Sequence, residues 1–432
     1  MTPVLGVIEG FYGRPWSWAD RDGMVDFMAR HGFRLYVYAP KDDRYHRVRW
    51  REPYPKDRLV RFERLADRCA RAGIEFVYGL TPWRLAMHDY AGIDIAWQKL
   101  QGLLAVGAAG LCLSFDDLPD DVPKDPTGAM RLARWQASVG NELDERMRAK
   151  RPDGRFLFTP TEYHGRGESP YLHTMGDALA PGIQVFWTGP QVCSPTISGA
   201  DLVAVTRRLG RQPLIWDNYP VNDGGMRWDP HLRPLQGRSA DLPSSVRGVV
   251  ANPALEAESS KVALHTLAAY WSDPAGYDPE AAWQRALVEV TGSGADADAL
   301  AVLARLASRS PLHQEPAPEW LMEPRPRADV EPELDALRGV VARLSGAMTN
   351  GSLQRDIRPW VVKLAAWVAL AGEALAIPGV QTGKRDTVRR RLGLLRRRRF
   401  RVSDEAFGEF VAGRLREAGS AVLATDPVDS KR

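Results

Sequence analysis

Short apolar runs rich in β-branched and aromatic residues alternate with longer stretches of helical spacing from residue 4 to about residue 270. A parallel sheet requires that alternation, because each strand must be carried back to the same end before the next can pair. Eight strands are predicted, at 4–9, 35–38, 76–80, 111–115, 156–158, 185–187, 214–216 and 249–251. Between them Leu59, Phe62, Leu65, Ala66 and Cys69 recur at helical spacing, and 130–147 and 255–267 also read as amphipathic helices. Eight such units predict an α/β fold of the closed (β/α)8 barrel type rather than an open doubly wound sheet.

Beyond about Asp273 the pattern changes to Ala, Leu and Arg with helical periodicity in 279–309, in 330–347 and in LQRDIRPWVVKLAAWVALAGEALA. The division expected is a barrel over 1–275 followed by an α-helical domain over 276–432. The stretch SPLHQEPAPEWLMEPRPRADVEPE, rich in Pro and Glu, reads as an extended loop or linker.

Polar residues or glycine follow the strands: Glu9-Gly10, Lys41-Asp42-Asp43, Asp116-Asp117, Tyr163, Thr188, Asp217-Asn218 and Asn252. In a barrel these positions meet on one rim, where barrel enzymes carry their chemistry. Asp116 and Asp117 stand out because they close the apolar run LCLSF, where burial and mutual repulsion are expected to raise one carboxyl pKa. Adjacent strand residues face opposite ways, so both serve one pocket only where the strand gives way to its loop. Hydrolysis of a glycosidic bond is one reaction that a carboxylate pair commonly serves, but neighbours in the chain are poorly placed to straddle a sugar ring as nucleophile and acid. A 2-acetamido sugar supplies an internal nucleophile instead, with one carboxylate holding its N–H and the other protonating the leaving oxygen. The bland reading of an isolated Asp-Asp pair is a helix N-cap or a loop-solvating pair.

Composition narrows the picture. The formal charge is +4, and the three cysteines, Cys69, Cys112 and Cys193, have no CxxC spacing, so neither a disulfide framework nor a zinc site is indicated. Histidine spacing is equally uninformative, and no metal and no cofactor are expected. No signal peptide and no membrane-spanning run are read, which makes the expected location cytoplasmic. The arginine run RRRLGLLRRRRFRV is read as a solvated helical face; without interleaved aromatic residues it does not indicate a nucleic-acid partner. The oligomeric state is left open.

Seven motifs in order, GVIEGFYGRPW (6–16), YAPKDD (38–43), SFDDLP (114–119), PTEYHG (160–165), WTGP (187–190), IWDN (215–218) and ANP (251–253), closely resemble glycoside hydrolase family 84. That family holds the protein O-GlcNAcases and bacterial β-N-acetylglucosaminidases. The resemblance covers residues 4 to about 272. It implies that Asp116 orients the acetamide and that Asp117 is general acid and then base. It further implies substrate binding by Gly10, Lys41, Tyr163, Asn218, Asp223 and Asn252, with Thr188 and Trp216 shaping the acetyl pocket. Family members often carry a tyrosine just after the residue matching Asp223; here Gly224-Gly225 stand there, which implies a more open aglycone side. The implied activity is retaining exo-hydrolysis of terminal β-linked N-acetylglucosamine through an oxazoline, on glycoconjugates that include O-GlcNAc-modified protein. A hyaluronidase-like glycan hydrolase and a non-catalytic sugar-binding barrel are the alternatives.

Overall fold

A computed structural model describes residues 3–118, 122–323, 325–377 and 382–424. Pro119, the last residue of the SFDDLP motif, lies outside the described residues.

Eight parallel strands close into a barrel: β1 (Val4–Glu9), β2 (Leu35–Tyr38), β3 (Glu75–Leu80), β4 (Gly110–Ser114), β5 (Arg155–Thr159), β6 (Gln184–Trp187), β7 (Leu214–Asp217) and β8 (Gly248–Ala251). β1 pairs with both β2 and β8, in registers that place Gly6 beside Leu35 and Val4 beside Gly248. Every predicted strand forms within one residue of its expected start and end. All eight are buried on both faces, as an enclosed parallel sheet requires, and so they read as continuous apolar runs.

Alternation divides each strand between two cores. Ile8, Leu35, Val37, Val77, Cys112, Leu157, Phe186, Leu214 and Val250 belong to one buried cluster that fills the barrel. The intervening Tyr36, Tyr38, Phe76 and Tyr78 turn outward. There they meet Phe62 of α2 (Lys56–Arg71), whose ring lies 4.8 Å from Tyr38 and 5.9 Å from Tyr78, both edge-on.

Helix starts are written locally. In α1 (Trp18–Arg30) Ser17 and Asp20 form a reciprocal capping box. After α3 (Tyr90–Ala105), both α4 (Pro126–Lys150) and α5 (Pro170–Ala178) begin with proline behind a capping Asp125 or Ser169. The barrel layer continues with α6 (Val203–Leu209), α7 (Leu242–Ser245) and α8 (Ala257–Ser272).

The chain divides into two compact units. One contains residues up to Gly224 together with Pro234–Trp283; the other contains Gly225–Arg233 and the chain from Gln284 onward. The helical periodicity of 279–309 forms two helices, α9 (Pro279–Thr291) and α10 (Gly294–Leu306), because Gly292 takes a φ of +72° and ends the first. The stretch expected as a linker is largely ordered: β9 (Arg309–Ser310) pairs with β10 (His313–Gln314), α11 (Glu319–Met322) follows, and α12 (Arg327–Ser345) begins inside it. Buried Trp320, Leu321 and Val330 anchor this segment against its proline content. Then come α13 (Gly351–Leu375), α14 (Thr382–Arg396) and α15 (Asp404–Ala424). Among the described residues no helix is long and apolar enough to cross a membrane.

Candidate active site

β4 delivers the aspartate pair, and Phe115, just past its end, is held by the end of β5 and the loop that follows it. The Phe115 N–H donates to the Thr159 carbonyl at 2.8 Å, and the Thr161 hydroxyl donates to the Phe115 carbonyl at 3.0 Å. Asp116 is 5% exposed at the strand's end. Asp117 then adopts a φ of +50°, a left-handed conformation that costs a non-glycine residue on the order of 1–2 kcal/mol. This reversal takes the chain out of strand alternation, so both carboxylates line one pocket. Neither caps a helix: the N-cap of α4 is Asp125.

The two carboxylates have unlike surroundings. Asp116 forms a buried ion pair with Lys41, whose Nζ donates to Oδ2, while Oδ1 is buried without a partner among the described residues. Burial pushes the Asp116 carboxyl above its usual range; Lys41 opposes that shift and Asp117 adds to it. Asp117 is exposed and accepts two phenolic hydrogen bonds, Tyr163 to Oδ1 at 3.0 Å and Tyr12 to Oδ2 at 3.1 Å. Burial, then Asp117, raises both tyrosine pKa values, so both hydroxyls stay protonated and able to donate. The carboxyl that burial raises is thus the one paired with Lys41.

All ten residues singled out from the sequence line one cavity of about 130 Å³: Gly10, Lys41, Asp116, Asp117, Tyr163, Thr188, Trp216, Asn218, Asp223 and Asn252. Several are already engaged with one another. Asn218 Oδ1 accepts from Trp216 Nε1 at 2.9 Å and from Asn252 Nδ2 at 3.0 Å, and Asn252 Oδ1 accepts the Gly10 N–H at 3.2 Å. Glycine at position 10 is obligatory, since a Cβ there would lie 2.4 Å from the Trp216 ring. The Thr188 hydroxyl turns into its own loop and donates to the Gln191 carbonyl at 2.8 Å. Asp223 accepts the Tyr12 N–H at 2.8 Å, and burial raises its carboxyl.

Other strand-end carboxylates are occupied elsewhere. Glu9 makes a fully buried bidentate pair with Arg21, at 2.7 and 2.8 Å, and also accepts the Tyr36 hydroxyl. Asp217 pairs with buried Arg238 at 2.6 and 2.8 Å. Each arginine satisfies its carboxylate and keeps it out of the pocket.

Sequence reasoning missed Tyr12, Thr159, Phe186, Val192, Cys193 and Val221, which complete the lining. Tyr12 lay in plain view within GVIEGFYGRPW. The others carry no chemistry that would single them out, except Cys193, whose thiol burial pushes up to about 11, so that it stays protonated at neutral pH.

Carboxylates and a lysine converging at the strand ends of an eight-stranded parallel barrel mark this as a barrel enzyme, and the comparisons make it a glycoside hydrolase. It belongs to the β-N-acetylglucosaminidase family, glycoside hydrolase family 84: the family model described as beta-N-acetylglucosaminidase matches residues 5–305. The protein O-GlcNAcases of Rattus norvegicus and Mus musculus are each 35% identical over 276 residues. That match covers 62% of this chain and 30% of theirs, so the chain aligns with less than a third of the length of those relatives. A solved mutant of the Thermobaculum terrenum O-GlcNAc hydrolase superposes with a TM-score of 0.87 at 28% identity, covering 98% of this chain and 96% of that one. CpGH84B shares the fold, with a TM-score of 0.81 at 22% identity, over 95% of this chain and 76% of that one.

Proposed function

We propose that this protein is a retaining exo-β-N-acetylglucosaminidase that removes terminal β-linked N-acetylglucosamine from glycoconjugates, O-GlcNAc-bearing protein among them. The observation that carries the reading is the paired but unlike setting of the aspartates. Asp116, anchored by Lys41 with its second oxygen unpartnered, is placed to accept the acetamide N–H and turn the acetyl oxygen onto the anomeric carbon. Asp117, exposed at the pocket and held by Tyr12 and Tyr163, is placed to protonate the leaving oxygen and then deprotonate the water that opens the oxazoline. Two displacements at one carbon restore the β-configuration. The remaining lining residues would grip the sugar, with Asp223, Asn218 and Asn252 facing its hydroxyls, Trp216 and Thr188 shaping the acetyl side, and Gly10 and Lys41 fixing the floor. The pocket-forming motifs favour release of a terminal residue over cleavage within a polymer. No step of this scheme calls on a metal or cofactor. A cytoplasmic setting suits the three free cysteines.

The test compares an aryl β-N-acetylglucosaminide with the matching aryl β-glucoside. Turnover of the first and essentially none of the second is expected, because the glucoside lacks the nucleophile. Comparable rates would sink the mechanism, and tight binding of N-acetylglucosamine without turnover of either would make the chain a sugar-binding barrel.

A further inference from the structure

Asp117 is useful only while its backbone keeps the left-handed turn, and one side chain outside the pocket lining holds that turn. Arg47 Nη2 donates to the Asp117 main-chain carbonyl at 2.6 Å. Its guanidinium lies against two aromatic rings, 4.2 Å from the centroid of Trp83 and 5.2 Å from that of Tyr12, and the residue is 9% exposed. Among the described residues no carboxylate is bonded to it, and its Nε is buried without a partner. A buried arginine usually answers a carboxylate; this one is directed at a carbonyl in the turn that carries the second aspartate.

The platform beneath Arg47 is built to stay still. On one side of it His46 bridges the Gly79 carbonyl at 2.8 Å and the Thr81 hydroxyl at 3.1 Å, tying the segment to the end of β3. On the other, Lys99 of α3 donates to the carbonyls of Tyr45, Trp50 and Glu52 at 2.6, 3.2 and 2.7 Å. Trp83 is fixed in turn, since its carbonyl accepts Trp50 Nε1 at 3.0 Å. Tyr12 closes the arrangement, stacking on Arg47 while its hydroxyl donates to Asp117. One aspartate is thus gripped at its main chain and at its carboxylate by residues from three different strand-end loops.

We propose that Arg47, clamped between Trp83 and Tyr12, is a positioning residue that holds the Asp117 turn and so keeps the acid/base carboxylate aimed at the leaving oxygen. The proposal rests on the acid/base reading of Asp117. It assigns no contact between Arg47 and the sugar, so sugar binding should survive its loss while proton delivery suffers.

The experiment uses Arg47→Met and Trp83→Leu beside Asp117→Ala and the double variant R47M/D117A, assayed on an aryl glycoside with a good leaving group and on an alkyl or seryl one. Arg47→Met should lower kcat on the alkyl glycoside about 10–100-fold and on the aryl glycoside less than about 5-fold, with KM within about 3-fold of wild type. Trp83→Leu, which removes one wall of the clamp, should show the same dependence more weakly. The double variant should be no slower than Asp117→Ala, because a residue acting through Asp117 has nothing left to position. Equal losses on both substrates, or losses that multiply in the double variant, would overturn the proposal and make Arg47 a structural residue. Should Arg47→Met not fold by circular dichroism, Trp83→Leu alone decides by the same criterion. Failure of the underlying reading looks different: Asp117→Ala itself would then show no leaving-group dependence.

Discussion

Asp116 and Asp117 are neighbours in sequence, yet one is buried against an ammonium and the other is exposed between two phenols. Acid assistance matters most for a poor leaving group, whereas orienting the acetamide matters for every substrate. Asp117→Ala is therefore expected to cut hydrolysis of an alkyl glycoside severely and to spare much of the aryl rate, while Asp116→Ala impairs both. Steady-state kinetics over a leaving-group series checks this, and the opposite pattern would exchange the two roles. A second expectation at this scale concerns His46, whose ring burial, with Lys41 nearby, lowers to about 3 from 6.5. Between those values the unfolded chain binds the proton that the folded chain refuses, so stability falls as pH drops through that window, by up to about 1.4 kcal/mol per pH unit. Urea unfolding at pH 4–7 should show His46→Gln losing that part of the slope.

At the scale of the element, the outward face of β2 and β3 depends on α2. Phe62 is fully buried against Tyr38, Tyr54, Phe76 and Tyr78. Phe62→Ala should cost about 3–5 kcal/mol, the range for an aromatic core truncation that leaves a cavity, read as a lower denaturation midpoint with an unchanged m-value. Because Tyr38 and Tyr54 both donate to buried Asp43 in the loop that follows β2, the loss should also raise KM for substrate through the Lys41 loop. A variant with a lower midpoint and wild-type kinetics would separate that packing from the pocket.

On the scale of the whole molecule, the second unit includes Gly225–Arg233, a piece of chain from between β7 and β8. Within that unit the Trp228 carbonyl accepts Trp360 Nε1 at 2.8 Å, the Trp228 ring meets Phe400 edge-on at 5.3 Å, and Arg401 pairs with Asp229 at 2.9 Å. A chain ended after Trp283 would keep all the pocket residues and strip these partners from 225–233. It is expected to expose Trp228 and to self-associate on size exclusion; a monodisperse, folded product would show that the helical unit is not needed for solubility.

The sequence by itself determined the barrel, because apolar runs and helical spacing are local patterns and eight repeats of them leave few topologies. It also brought Gly10, Lys41, Asp116, Asp117, Tyr163, Thr188, Asn218 and Asn252 to one rim, since strand ends must converge once the barrel closes, whereas Trp216 and Asp223 came from the motif resemblance and Tyr12 was passed over. Three things were decided only in three dimensions. Periodicity cannot show that the break at Gly292 ends one helix and starts another, because a terminating glycine acts through its backbone and not through apolar spacing, nor that a proline-rich stretch is anchored by Trp320, because tertiary burial overrides local preference there. Composition cannot show that Glu9 and Asp217 are neutralised by Arg21 and Arg238 while Asp116 and Asp117 face the cavity, because partners that meet in space need not be close in sequence. Nor does a strand-ending Asp-Asp pair reveal which way its second residue turns: that is decided by a φ of +50° at Asp117, held from Arg47, 70 residues away along the chain.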